Sequence, residues 1–305
     1  MAAPETTLDE LVTIRDWLRY AVSRFNAAAL VYGHGTANAL DEAAYLILHT
    51  LNLPIDQLDP WLEARLLGSE RQALHAIIDA RIRTRKPAAY LTHAAWIGGH
   101  SFYVDERVIV PRSYIGELLA RQLEASPGEW HLGLDSGPIA AILDLCTGSG
   151  CLAILAALAF PQAVVDASDA SADALSVAAR NVADYRLEAR ISLARSDLFE
   201  AHADRRYDLI LANPPYVAAE ALAAFPPEYA AEPRMAHAGG VDGLDLVRRI
   251  LTEAREHLSP TGQLIVEIGA GRERLEQQFP RLPFLWLDTA ESEGQVFALA
   301  AAALP

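Results

Sequence analysis

Four consecutive residues, Asn213, Pro214, Pro215 and Tyr216, have types and an order suited to handling a planar NH2 group. Pro214 disfavours the helical region for Asn213, Pro215 does the same for Pro214, and both prolines have fixed φ and no N–H. The result is a stiff loop that offers acceptors. The Asn213 side-chain oxygen and the Pro214 carbonyl can receive both hydrogens of an NH2 group while Tyr216 packs on its π face. Such a nitrogen is a poor nucleophile because its lone pair is delocalised. Hydrogen bonds from both N–H groups to fixed acceptors favour developing positive charge at nitrogen as it attacks an electrophilic carbon. No general base is needed in that step, since the proton can leave afterwards. A glutamine side chain, adenine and guanine all carry the required group, and the loop alone does not separate them.

A second constellation can hold a nucleotide. The run Asp144-Leu145-Cys146-Thr147-Gly148-Ser149-Gly150 follows an apolar stretch and opens an apolar helix, so its glycines let backbone approach a ligand at a helix N-terminus. Read alone, the segment through Ala153 also fits a dinucleotide fingerprint. Asp144 argues otherwise, because a carboxylate at the strand end repels a pyrophosphate but can hold a cationic amino-acid group through water or a neighbouring amide. Asp169, 19 positions after Gly150, stands where an acceptor for both ribose hydroxyls is expected, with Asp166 as its competitor. Asp197 follows the next strand and can accept an adenine amine, with Leu198 or Phe199 packing on the ring. Aspartate is common at strand ends and caps. Three of them at the ends of three successive strands point instead to one ligand, the sulfonium amino acid nucleoside S-adenosylmethionine.

The elements that must carry these residues are legible as periodicities. From 113 to 305 strands and helices alternate, with strands expected at 139–145, 163–167, 191–194, 207–212, 263–268, 284–287 and 295–299. That is an α/β chain with a doubly wound, mostly parallel sheet of seven strands, whose ligand sits at the carboxyl ends where strand order reverses. The short polar loop 288–294 between the last two strands supports an antiparallel return. Residues 87–112 read as a β-hairpin connector around Gly98 and Gly99. Residues 1–86 read as a small helical domain. Its first helix is expected from a capping box at Thr7 and Glu10, a second spans 39–51, and a third opens with a box at Ser69 and Gln72. The third ends in Arg81, Arg83, Arg85 and Lys86, either as favourable charges at a helix C-terminus or as a local contact with anionic RNA, such as rRNA, or an acidic partner.

Composition narrows the classes. A formal charge of -15 disfavours an electrostatic grip on nucleic acid over the whole surface. The longest strongly apolar runs are about half of the roughly 20 residues a membrane span needs. The acidic start lacks the order of a secretion signal, so a cytoplasmic protein is expected. Cys146 and Cys151 are too few for a disulfide framework, lack partners for a metal site, and read as small buried residues.

Taken with these motifs, the chain resembles the protein-glutamine methyltransferases that use S-adenosylmethionine, and the resemblance covers nearly all of it. It is carried by Asp144 to Gly150, Asp166 to Asp169, Ser196 to Phe199 and Asn213 to Tyr216. The segments 89–96, 102–107 and 110–113, together with 226–229, Glu232-Pro233 and 242–245, look like the branch that acts on ribosomal protein uL3, and not the branch that acts on peptide release factors. Two positions depart from that branch: Tyr114 stands where a proline is usual and Ala94 where an acidic residue is usual. The resemblance implies a Rossmann-like class I methyltransferase sheet and S-adenosylmethionine as cofactor, with uL3 as substrate, free or in an assembling large subunit. It further implies cofactor contacts from Asp144, Thr147, Gly148, Gly150, Asp169, Asp197, Leu198 and Asn213, and catalysis by Asn213, Pro214 and Tyr216. Substrate contacts would come from Pro111, Arg112 and 213–216, and the helical front would recognise the substrate. A nucleic-acid amine methyltransferase would use the same loop but should carry a basic or aromatic module, which the front region lacks. A non-enzymatic assembly factor would not need Asn213 and Tyr216.

Overall fold

A computed structural model describes residues 9–125, 132, 138–290 and 292–305. They form two compact units, Met1–Ala94 with Pro226–Ala231, and Ala95–Phe225 with Glu232–Pro305. The first unit thus runs past residue 86, where the change of period suggested a boundary, and takes in a short return segment from far along the chain.

Among the described residues the first unit carries the helices α1 (Ile14–Ala27), α2 (Ala39–Thr50), α3 (Gly68–Thr84) and α4 (Ala88–Thr92), and Asp9 and Glu10 are also helical. Trp17, Ala21 and Phe25 recur every four residues on α1 and are fully buried, in one cluster with Leu46 and Ile47 of α2 and Leu74 and Ile78 of α3. Thr7 lies outside the described residues. The box that opens α1 is Thr13 with Asp16, in which Asp16 N–H donates to the Thr13 hydroxyl (3.2 Å) and Thr13 N–H to the Asp16 carboxylate (2.8 Å). At α3 the cap is Leu67 and not Ser69, because Glu70 reaches back to accept the Leu67 N–H at 2.7 Å and leaves Ser69 inside the first turn.

The basic end of α3 is half turned inward. Arg81 is 0% exposed, donating from Nε to Glu42 (2.6 Å) and from Nη2 to the Val31 carbonyl (3.1 Å). Arg85 pairs with the buried Glu228 (3.0 Å) and donates to the carbonyl of Ala28 (2.7 Å). Glu228, carried by the return segment, also accepts the Val31 N–H at 3.0 Å. Arg83 is exposed and pairs with Asp79. Two of the four basic residues are therefore spent inside the unit, closing a network of buried acids and arginines.

The second unit begins with the hairpin β1 (Ala94–Ile97) and β2 (His100–Tyr103), followed by α5 (Tyr114–Glu124). Then come β3 (Ala141–Leu145), α6 (Cys151–Ala159), β4 (Val164–Asp169), α7 (Ala172–Asp184), β5 (Ile191–Arg195) and β6 (Tyr207–Ala212). The chain ends through α8 (Ala219–Ala223), α9 (Asp245–His257), β7 (Leu258–Glu267), α10 (Arg272–Gln278), β8 (Leu285–Leu287) and β9 (Val296–Ala300). The seven strands of the large sheet lie in the order β5-β4-β3-β6-β7-β9-β8. The pairs from β5 to β7 are parallel, and β9 runs antiparallel to both β7 and β8. This is the expected seven-stranded α/β sheet, with the last hairpin folded so that β9 lies inside β8.

Both faces of the sheet are covered, which is why its strands read as continuous apolar runs. Ile142, Leu209, Leu211 and Ile265 share a buried cluster with α5 and α6, while Leu143, Ile210, Leu264 and Val266 share another with α9. Helix α6 is buried from Cys151 to Ala157, and its alanines let it lie close against neighbours. The chain leaves β3 outward to β4 and β5, then returns on the other side of β3 as β6. The crevice created by that reversal is bordered by the loops after β3 and β6, which carry Gly148 and Asn213.

Among the described residues no helix is long and apolar enough to cross a membrane. Removing one partner of a buried ion pair strands the other charge at a cost of about 3–5 kcal/mol. Glu42→Ala, which leaves the buried Arg81 only the more distant Glu228 at 4.0 Å, should lower the urea unfolding free energy of the protein by up to that order, whereas Asp79→Ala, which breaks an exposed pair, should leave it nearly unchanged.

Candidate active site

The loop after β3 is held from below. Asp144 is 0% exposed, and its Oδ2 accepts the Thr147 hydroxyl (2.5 Å) and the Ala153 N–H (3.1 Å), while Oδ1 has no partner. Thr147 is itself buried, and its N–H donates to the Ser168 carbonyl of β4 at 2.9 Å. The two glycines divide the work. Gly148 has φ +56 with nothing within 4 Å of a would-be Cβ, and it lines a cavity at the strand ends. Gly150 has φ +80, and a Cβ there would meet Ala178 of α7 at 3.2 Å, so its bareness serves helix packing. Asp144, Thr147 and Gly150 thus shape the cavity from behind its wall.

Asp169 stands on the wall. Its Oδ2 accepts the Gly148 N–H (3.0 Å) and its Oδ1 the Ser171 N–H (2.9 Å), leaving lone-pair capacity on both oxygens. Burial pushes its pKa up, opposed by those backbone donors. The competitor Asp166 is turned away, accepting the Tyr207 hydroxyl (2.7 Å) and pairing with Arg205 (2.9 Å). Asp197 and Leu198 also line the cavity, and Arg249 donates to Asp197 at 2.9 Å. Phe199 is buried and stacks on His257, with ring centroids 4.5 Å apart, so Leu198 is the apolar residue of that pair left to meet a ring.

Asn213 and Pro215, from the loop after β6, reach the same cavity. Pro214 is buried and Tyr216 is half-buried, its hydroxyl donating to Glu267 at 3.1 Å. The backbone beyond is fixed by Val217, whose N–H donates to the His237 carbonyl (2.8 Å) and whose carbonyl accepts the Gly239 N–H (2.9 Å).

Pro111 and Arg112 lie elsewhere. Pro111 is buried, and Arg112 makes a two-point pair with Glu232, 2.8 Å on each side. Glu232 also accepts the Val110 N–H at 2.8 Å, which makes this segment a fixed strut and takes its guanidinium out of the cavity wall.

Comparison with known proteins places the chain in a family. Residues 131–225 match the family model described as methyltransferase small domain. A ribosomal protein uL3 glutamine methyltransferase of Bradyrhizobium diazoefficiens is 55% identical over 97% of this chain and 92% of its own length. One from Bordetella pertussis is 56% identical over 95% of each chain. The chain belongs to the ribosomal protein uL3 glutamine methyltransferase family. A crystal structure of a ribosomal protein L11 methylase from Lactobacillus delbrueckii subsp. bulgaricus overlays with a TM-score of 0.38 at 24% identity, over 60% of this chain and 75% of that one.

Several residues of this methyltransferase site gave no signal in the sequence. Asn181 of α7 is 1% exposed and donates to the carbonyls of Ser149 (2.8 Å) and Tyr103 (3.0 Å) while accepting the Tyr103 N–H (2.7 Å). It ties the glycine loop to the hairpin. Cys146, expected to be a buried filler, has φ +57 and stands partly exposed on the cavity wall; burial and the nearby Asp169 carboxylate hold its thiol well above the ordinary range. Arg107 also lines the cavity and is gripped by Asp105, with Nε and Nη2 at 2.9 and 2.6 Å from the two carboxylate oxygens.

Burial raises the Asp144 pKa from 3.8 to about 7. Since the neutral form is favoured in the folded protein, its contribution to stability is whole below pH 3.8 and is lost as pH rises through about 7. Asp144→Asn should flatten that part of the curve when urea midpoints are measured at pH 5 and pH 8 without ligand. An unchanged difference between the two pH values would mean that Asp144 is already ionised in the folded protein.

Proposed function

We propose that the chain transfers a methyl group from S-adenosylmethionine to the side-chain amide nitrogen of a glutamine in ribosomal protein uL3, in the cytoplasm. One observation carries the reading: Asn213, from the loop suited to an NH2 group, lines the same cavity as Asp169 and Asp197, the acceptors suited to a nucleoside. Similarity over nearly the full length to proteins named for uL3 supports that substrate above release factors and nucleic acid amines. The helical first unit is read as the part that recognises the protein substrate.

The residues present fit the cofactor. Asp169 keeps acceptor sites for the two ribose hydroxyls, Asp197 for the adenine amine, and Leu198 an apolar face for the ring. Asp144, buried behind the wall with its Oδ1 unpartnered, would act on the ammonium group only through water or a neighbouring amide. When bound, S-adenosylmethionine supplies an electrophilic methyl carbon on a sulfonium. Asn213 Oδ1 and the Pro214 carbonyl accept the two N–H groups of the substrate amide, and the Tyr216 ring packs on its face. The acceptors are preorganised by the prolines, so positive charge developing at nitrogen is met without rearrangement. With that donor bound, transfer of its methyl group from sulfur to the amide nitrogen would leave positive charge at nitrogen, which Asn213 and Pro214 would meet, and the nitrogen would then lose one hydrogen as a proton to solvent.

Asn213→Ala removes one of the two acceptors and should slow single-turnover transfer to purified uL3 by roughly 100-fold or more, by analogy with losing one preorganised oxyanion donor. Cofactor affinity, measured in parallel by calorimetry, should barely change. Asn213→Asp keeps an oxygen in place and should retain more activity than the alanine variant. Near-normal transfer by Asn213→Ala would sink the amide clamp, and a parallel collapse of cofactor binding would reassign Asn213 to the nucleotide pocket.

A further inference from the structure

Tyr216 is held by its far end. Its hydroxyl donates to Oε1 of Glu267 (3.1 Å), and Oε2 of the same carboxylate accepts the Ser113 hydroxyl (2.7 Å) and the Tyr114 N–H (2.9 Å). Glu267 is the last residue of β7 and is 1% exposed. One buried carboxylate therefore joins the acceptor loop to the first turn of α5, which lies 154 residues earlier in the chain. Serving these three donors, with the backbone N–H of Ile115 as a further one, suits a carboxylate, with about four lone-pair sites on two oxygens, where an amide has about two.

The ring is confined as well. Gly269 has φ +54, and a Cβ there would lie 2.8 and 2.9 Å from Cδ2 and Cε2 of Tyr216, closer than a methyl tolerates. A Cβ on Gly239 would come within 2.7 Å of the Tyr216 Cα. Bare backbone thus lies against the ring and against the main chain. What stops the ring from swinging along the surface of Gly269 is the bond at its hydroxyl.

We propose that Glu267 is a positioning residue for methyl transfer, holding the Tyr216 ring at the angle at which its face meets the acceptor amide. The proposal rests on the reading that Asn213, Pro214 and Tyr216 bind that amide. A ring that packs on a planar group also orients it, and misplacing a reacting group by about 1 Å can cost on the order of 100-fold in rate. Burial and the Glu267 carboxylate hold the Tyr216 hydroxyl well above the ordinary phenol range, so it remains a neutral donor to its tether across the working pH.

The test uses the full-length protein, single-turnover transfer to purified uL3, KM for uL3 and cofactor affinity. Tyr216→Phe deletes only the tether's donor and should slow transfer by about 10- to 100-fold, with KM and cofactor affinity unchanged. Glu267→Gln should stay near normal, because its amide oxygen can take Ser113 and Tyr114 while its NH2 donates to the Tyr216 oxygen. Glu267→Ala should be as slow as Tyr216→Phe, and the double variant no slower than the slower single one, since both remove the same bond. Normal transfer by Tyr216→Phe, or losses that multiply in the double variant, would overturn the proposal. A Glu267→Gln variant as slow as Tyr216→Phe would overturn it too, in favour of a role for the charge. If Glu267→Ala does not fold, a slow Tyr216→Phe beside a near-normal Glu267→Gln upholds it. Asn213→Ala is run alongside: its slowness with a normal Tyr216→Phe removes the tether alone, while its normal rate removes the amide reading beneath it.

Discussion

A loop at the end of a parallel strand leaves backbone N–H groups without ladder partners, and buried N–H groups must find acceptors. Here buried or half-buried carboxylates supply them. Asp144 takes Ala153, Asp169 takes Gly148 and Ser171, Glu232 takes Val110, and Glu267 takes Tyr114. Each of these acids lies at or near the carboxyl end of the sheet, and each fixes a segment that borders the cavity or the acceptor loop. Within this set Asp169 holds Gly148, and Glu267 also holds the Tyr216 hydroxyl. Arg112 offsets the charge of Glu232, whereas Asp144 has no cation beside it and titrates upward instead.

In the proposed reaction the acids of the cavity wall would also act electrostatically. A sulfonium donor and an amide nitrogen that gains positive charge both favour a surrounding of acceptors and carboxylates over one of cations. The cavity wall carries Asp169 and Asp197, with Arg107 already matched by Asp105. The excess of 40 acidic over 25 basic residues is therefore not only a surface property suited to a basic ribosomal substrate. Part of it is built into the loops.

The sheet and most of the site were legible in the sequence because both rest on local signals. Strands covered on both faces are continuous apolar runs, and the acids that end β3 and β4 interrupt such runs just before a helix opens. Glu267 ends β7 with the same signature, an acid after Leu264, Ile265 and Val266 and shortly before Gly269, so it could have been found by the rule that found Asp144. The partners could not. Arg112 and Glu232 are 120 residues apart, Tyr103 and Asn181 are 78, and no spacing announces such pairs. The start of the helix α3 was misplaced for a local reason, since Glu70 is a capping residue as ordinary as the Gln72 expected to pair with Ser69, and tertiary packing chooses between them.

The chain passes between its two units three times, after Ala94, after Phe225 and before Glu232. The return segment is short, yet Glu228 within it satisfies Arg85 and the Val31 N–H in the interior of the helical unit. A recombination event that exchanged only the N-terminal helices for those of a distant relative would leave Glu228 facing unfamiliar residues. The helices and the segment after the acceptor loop must consequently change together if the interior of the helical unit is to stay paired.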